Sequence, residues 1–272
     1  VKTFHVQKTC SDPAGYEHLA AGYAGFENEW FEDLQFDFSH CPFFEAHLAA
    51  GLGALFTLLI SQGNRVGFRG LTPKVETILR KNRFLVAAGK APKLDTYGTT
   101  VRYQRFNAGE ARGFAMYLDK RLFSMPELPA MVPPLRKAIA RSLLEVFQNA
   151  ETHGRSPHGV FSCGQFYPRQ DRIAFTIVDT GIGFAGSLRA EGIPIRDDLA
   201  ALQGVVEQGY TSRRLTTGGL GIRLLQRYLE QTKGSLEIVS HRGYWRSAGG
   251  KNTFANLQHR FPGTLVNIEF HV

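Results

Sequence analysis

Three short stretches of this 272-residue chain hold residue types that can do chemistry together. The first runs from Glu145 through Asn149 to His153. A carboxylate, an amide and an imidazole recur there every fourth residue, so on a helix they share one stripe. An acid, an amide and an imidazole beside an apolar face are an odd choice if packing were the only task; the same spacing also fits a solvated helix edge. The second stretch is IVDTGIGF at residues 177–184. An apolar strand delivers Asp179 to a loop where Gly181 and Gly183 either let the backbone approach a ligand or make a tight turn. The third is TTGGLGI at residues 216–222, followed at once by RLLQRYLEQ. Glycines opening a helix expose free N–H groups and the positive dipole end, a cradle for phosphate, although a Gly-rich loop can also simply turn the chain. Neither the Gly-Lys-Ser/Thr of a Walker loop nor a dinucleotide fingerprint is present.

Elements must hold these residues in place. Leu135, Ile139, Leu143, Val146, Phe147 and Ala150 form the apolar stripe of a helix over about 135–153, entered through Pro129, Pro133 and Pro134. Strands are expected near 99–106, 159–167, 172–178, 235–240 and 264–271, with helices over 110–123 and 219–232. Tyr244 and Trp245 fall in a loop between the last strands, as a contact surface. The stretch between residues 184 and 219 has weak periodicity. Before residue 97 the pattern is strand 33–39, with Leu34, Phe36 and Phe38 on one face, then helix 45–62, strand 65–69 and helix 73–82. Gly89 to Pro92 and Tyr97-Gly98 mark the best boundary, so the chain divides into residues 1–97 and 98–272. Alternation of strands and helices gives an α/β architecture of layers.

Composition narrows the classes. With 43% hydrophobic and 21% charged residues the chain reads as globular. Cys10, Cys41 and Cys163 are far apart with no CxxC, which speaks against a disulfide framework or a structural zinc site and makes reduced cytosol the simplest compartment. Cys163 reads as a small strand residue, since no His or Asp partner is evident. The longest apolar run, residues 48–60, has thirteen residues with two glycines. That is short of the roughly 18 a membrane span needs, and VKTFHVQKTC lacks the apolar core of a signal peptide. The net charge of +8 lies wholly in residues 98–272, which carry 22 basic and 14 acidic side chains. Residues 27–45 hold six acidic residues and no Lys or Arg. A polyanionic small ligand explains the basic half. A nucleic-acid partner stays open on charge alone, without a motif behind it.

In order, E-x-x-x-N-A-x-x-H-G, D-x-G-x-G, G-G-x-G at a helix start and a closing Gly263-Thr264 strand resemble the GHKL family of gyrases, heat-shock chaperones, histidine kinases and mismatch-repair ATPases. The resemblance covers residues 98–272 and implies a Bergerat fold that binds ATP or ADP with Mg²⁺. It implies that Asn149 holds Mg²⁺, Asp179 accepts from the adenine amino group, and Gly181 and Gly183 shape the adenine pocket. Gly218, Gly219 and Gly221 wrap the triphosphate, Thr217 and Ile222 belong to the same binding set, and Thr264 lies near adenine. Glu145 is the catalytic carboxylate that hydrolysing ATPases and anti-sigma-type serine kinases carry and histidine kinases usually lack. His153-Gly154 either ends that motif or caps the helix, and Arg213 and Arg214 either meet the γ-phosphate or are solvated.

Residues 1–97 resemble a STAS domain through strand 34–39, the helix carrying Gly51-Leu-Gly-Ala-Leu55, and Asn64-Arg-Val66. Such domains are partners, and often substrates, of anti-sigma serine kinases. Here the turn reads FFEAHLAAG at residues 43–51, with no Ser or Thr where the phosphoacceptor usually stands, which favours docking or sensing over phosphorylation in cis. The combined layout also resembles a group of uncharacterised bacterial ATP-binding proteins. Together these resemblances imply a slow ATPase whose lid controls a protein interaction. The alternatives are a serine kinase acting on a separate STAS-like partner and a non-catalytic ATP sensor or scaffold, either of which admits a homodimer.

Overall fold

Leu34 and Phe36 alternate along β2, the middle strand of a small sheet, and with Phe38 just beyond it all three side chains are buried. The computed structural model describes residues 1–152, 156–208 and 220–272. In chain order the first unit is β1 (Lys2–His5), α1 (Pro13–Ala24), β2 (Asp33–Asp37), α2 (Ala49–Ser61) and β3 (Arg65–Arg69). The strands lie side by side as β1-β2-β3, all parallel, so α1 and α2 are the crossovers that parallel pairing demands. Sequence periodicity did not reveal β1 and α1. Helix α1 is built by its cap: Asp12 accepts from the Gly15 amide at 2.7 Å, with Pro13 in the first turn. The expected helix 45–62 is a 3₁₀ turn, Ala46–Leu48, running into α2. Helices α3 (Pro73–Lys81) and α4 (Phe84–Ala87) follow, and residues 88–99 carry neither helix nor strand.

The rest of the chain forms β4 (Thr100–Phe106), α5 (Ala111–Tyr117) with a π turn at Leu118–Leu122, α6 (Pro133–Thr152), β5 (Val160–Tyr167) and β6 (Arg172–Asp179). Then come α7 (Gly183–Ala190), α8 (Asp198–Gln203), α9 (Leu220–Gln231), β7 (Ser235–Ser240), β8 (Gly243–Ala248), β9 (Lys251–Asn256) and β10 (Thr264–His271). Seven strands make one antiparallel sheet in the order β4-β5-β6-β10-β7-β8-β9. The architecture is mixed α/β. The expected loop at Tyr244 and Trp245 is corrected: both lie on β8, 1% and 0% exposed, so neither forms a contact surface. No helix among the described residues is long and apolar enough to cross a membrane.

Period two sorts the large sheet into two faces. Phe175, Ile177, Ile238, Val266 and Ile268 join α5, α6 and α9 in one core. Phe161, Cys163, Val178, Val239 and Leu265 point the other way, into a second core shared with Leu19, Leu48, Leu52 and Leu55 of the first unit. The first unit therefore covers the sheet face opposite the helices. A sheet with a bare second face would carry polar residues there. Cys163 is part of this packing: its Sγ lies 3.4 Å from the Ala46 carbonyl, and burial pushes its thiol pKa up, away from nucleophilic use.

Polar groups stitch the two units. Arg172 bridges Glu45 of the first unit and Glu269 of β10, and lies 4.4 Å over the Tyr167 ring. Tyr16 donates to Glu237 at 2.6 Å, and Tyr244 and Asn267 each donate to it at 3.0 Å. Burial, reinforced by the Glu269 charge, raises the Glu237 carboxyl to about 7 against three hydrogen bonds that pull it down. An acid whose folded pKa lies above its unfolded value keeps its proton longer when folded. Its contribution to stability is therefore lost as pH rises from about 4.5 through about 7, by on the order of 3 kcal/mol. Thermal unfolding of Glu237→Gln beside the wild type between pH 4.5 and 8 should show the difference: the wild type loses stability against the variant as pH rises. Parallel curves would show that Glu237 does not titrate in this window.

Candidate functional site

Helix α6 is the centre of the site, and its rotation is set by packing. Ile139, Leu143, Val146, Phe147 and Ala150 enter the core. Phe147 stacks on Phe114 at 4.4 Å between centroids and meets the edge of Phe106 at 5.7 Å. This leaves Glu145 and Asn149, one turn apart, half-buried along the edge of the helix. Among the described residues no hydrogen bond or ion pair engages the Glu145 carboxylate or the Asn149 amide, although both can act as oxygen ligands.

Glu145 faces the start of α9. A Cβ placed on Gly221 would stand 2.8 Å from Glu145 Oε2 and 3.4 Å from its Cβ, so the Glu145 carboxylate lies directly against the Gly221 backbone. Ile222, the next residue, is buried in the helix-side core and anchors this end of α9. Thr217, Gly218 and Gly219, along with His153, Gly154, Arg213 and Arg214, lie outside the described residues.

Past α6, Ser156 ties the chain to the loop that follows β6. Its Oγ accepts from the Thr180 amide at 3.0 Å and lies 3.0 Å from the Thr180 hydroxyl. Immediately before Thr180, Asp179 ends β6, 6% exposed and paired in register with Thr264 at the start of β10. Its Oδ1 accepts from the Gly181 amide at 2.7 Å, an Asx turn that fixes the loop. Burial raises the Asp179 carboxyl to about 6; donation from Gly181 and Thr264 and the nearby His241 oppose that rise. A carboxylate there is a strong acceptor near neutral pH and can be protonated at mildly acidic pH.

Gly183 adopts φ +67°, and a Cβ on it would lie 2.8 Å from Ser240 Oγ. The crowding at this glycine comes from the end of β7, whose Ser240 hydroxyl accepts from the Phe184 amide at 2.9 Å. Sequence reasoning missed the support beneath the loop. His241, itself at φ +52°, places Nε2 3.4 Å from the Gly181 carbonyl and 3.0 Å from Arg260 Nη2, with Asp198 3.7 Å from Nδ1. These three residues come from distant segments, and nothing in their spacing pointed to one another.

The structure thus gathers Glu145 and Asn149 on α6, Gly221 and Ile222 at the start of α9, and Asp179, Gly181, Gly183 and Thr264 at the ends of β6 and β10. Glu145 meets Gly221 of α9, and Ser156, beyond the end of α6, meets Thr180 in the loop after β6. Among the described residues no cluster of three or more His, Cys, Asp or Glu side chains forms a metal cage. Comparison with known protein families finds no family that matches the chain, and comparison with curated proteins finds no matching relative.

Proposed function

We propose that residues 98–272 bind Mg·ATP where α6, the Asp179 loop and the start of α9 converge, and hydrolyse it slowly to ADP, with closure of the glycine-rich segment controlling a protein interaction. The observation that carries this reading is the pair Glu145 and Asn149, half-buried and without a hydrogen-bonding partner among the described residues, with Glu145 against Gly221 at the start of α9. The resemblance of the ordered motifs to the GHKL family supports it. In this reading Asp179 accepts from the adenine amino group, with Thr264 beside it and Gly181 and Gly183 shaping that end of the site. Thr217, Gly218, Gly219, Gly221 and Ile222 form the phosphate end.

A single amide oxygen, completed by phosphate oxygens and water, is a ligand set that Mg²⁺ accepts, since this ion keeps several waters and needs few protein donors. Bound by Asn149, the ion would neutralise charge on the phosphates. Glu145, one turn earlier, would orient a water and take its proton.

Phosphate release from Mg·ATP by the purified protein, beside Glu145→Ala and Asn149→Ala, tests the assignment. Glu145→Ala should bind nucleotide but release phosphate at least about a hundredfold more slowly, and Asn149→Ala should lose Mg-dependent binding. Wild-type affinity for Mg·ATP in Asn149→Ala would remove the metal assignment. Binding without release in the wild type would leave a sensor or scaffold, or a kinase awaiting its substrate.

One observation bears on the serine-kinase alternative. The turn of the first unit at residues 43–51 is packed against the large sheet, with Glu45 and His47 buried. A phosphoryl acceptor would have to come from a separate STAS-like protein. Labelled phosphate on such a partner, and not only in solution, would select that reading.

A further inference from the structure

Two surface features far apart in the sequence are complementary to each other. The first is a projecting tip between α1 and β2. Trp30 and Phe31 are 60% and 85% exposed, and Phe31 adopts φ +58°, which a bulky residue rarely takes. The tip is held by hydrogen bonds. The buried Asn64 amide donates to the Glu29 carbonyl at 2.8 Å and accepts from the Glu32 amide at 2.9 Å, and Gln62 donates to the Glu27 carbonyl at 2.7 Å. Two exposed aromatic rings are thus presented on a braced loop at the expense of an unfavourable backbone angle, a combination that marks an interaction site. Glu29 engages Lys2 and Asp33 engages Arg65, which leaves Glu27 and Glu32 without a cationic partner among the described residues.

The second is a cavity of about 420 Å³ between α5 and the N-terminal half of α6. Leu118, Phe123 and Leu144 form its apolar wall, and Arg136, Lys137 and Arg141 line its rim. Arg136 pairs with Asp119 at 2.6 Å and lies 5.3 Å over the Phe123 ring. Lys137 and Arg141, one turn apart, have no acidic partner among the described residues. The volume is that of a site that can take large side chains.

We infer that the tip of one copy docks into the α5–α6 cavity of a second copy, with Trp30 and Phe31 in the apolar cleft and Glu27 and Glu32 against Lys137 and Arg141. Two unpaired acids beside aromatic rings face two unpaired cations beside an apolar hole, and both surfaces belong to the same chain. Aromatic side chains and Arg are the residues that carry most interface energy. Because the surfaces differ, the contact is head-to-tail and grows into a chain or closes into a ring. The inference does not depend on the nucleotide reading.

Light scattering at a series of protein concentrations in low salt tests it. The average mass of the wild type should climb with concentration past that of a dimer and fall back as salt is raised. The double variant Trp30→Ala/Phe31→Ala and the variant Arg141→Glu should each associate at least tenfold more weakly, with unchanged circular dichroism because the altered side chains are exposed. Lys137→Glu serves if Arg141→Glu is poorly folded. An equimolar mixture of the tip variant and the rim variant retains one intact pair of surfaces and should stop at the dimer. A wild type that stays monomeric at every concentration would overturn the inference. So would a rim variant that associates as well as wild type, or a mixture that stays monomeric, since each points to a partner other than this cavity.

Discussion

Replacing Asp179 with Ala should lower the affinity for adenine nucleotides proposed for this site by roughly ten- to a hundredfold and leave the fold in place. The expected loss is large because the carboxylate is buried at the end of β6, where a hydrogen bond to a ligand amino group would be made out of competition with water. A site built to accept a hydrogen bond from the ligand binds poorly when the acceptor is gone, by about 1–3 kcal/mol for the bond and more where the ligand donor is left unpaired. The same residue predicts a pH dependence in the wild type. Its carboxyl titrates at about 6, raised by burial, and only the ionised form accepts through both oxygens. Nucleotide affinity should therefore fall as pH drops through about 6, and Asp179→Asn, which cannot titrate, should lose that dependence along with much of its affinity. Titration calorimetry with ATP and with an analogue lacking the exocyclic amine separates the cases. If Asp179→Ala binds ATP as the wild type does, adenine is not read at this end of the sheet.

Long elements with clean periodicity were legible. Helix α6, strands β6, β7 and β10, and the first unit's β2 and β3 lie where the sequence puts them: α6 and β2 by the period of their apolar residues, and β6, β7 and β10, buried on both faces, as short apolar runs bounded by turn residues. The losses have physical causes. Strand β1 has only four residues, mostly exposed, and α1 carries Gly15 and Gly22 on its buried side, so neither shows a strong period. The hairpin β8–β9 did leave a signal. Gly249 and Gly250 form its two-residue turn, both at positive φ, between Ala248 and Lys251. Tyr244 and Trp245 fill opposite faces of the same strand, which removes the alternation a half-exposed strand would show. The covered back face of the sheet had its own mark in the sequence. Glu237 and Asn267 interrupt otherwise apolar strands, and the structure shows them joined to Tyr16 of the first unit and to each other. A polar residue in a central strand signals a specific partner, but the strand itself cannot say which segment supplies it. The candidate site divides the same way. Its motif residues were visible one by one, whereas the His241, Arg260 and Asp198 support exists only once three remote segments have folded together.

Gly263→Ala should be strongly damaging for the addition of a single methyl. Gly263 adopts φ +140°, a region that only glycine occupies without strain, and a Cβ there would lie 2.1 Å from the Asp179 carbonyl oxygen and 2.8 Å from Thr180 Cα. Those atoms are backbone, held by the pairing of β6 with β10, so no side chain can swing away to make room. The Gly263 carbonyl also accepts from the His241 amide at 3.0 Å, and its amide donates to Phe261 at 2.9 Å, so the glycine cannot move outward without breaking both. Strain and displaced pairing together should cost about 3 kcal/mol or more, which lowers the melting temperature by roughly 6–12 °C for a chain of this size. The displacement falls on the register pair Asp179 and Thr264, so nucleotide affinity should drop in the same variant. Gly250→Ala is the control. Gly250 also has positive φ, +73°, but faces open space in the β8–β9 turn, and the substitution should cost only about 1 kcal/mol with ATP binding intact. Equal losses of stability in the two variants would mean that the crowding at Gly263 is relieved by rearrangement of β10. Loss of stability at Gly263 with full nucleotide affinity would detach the end of β10 from the binding site.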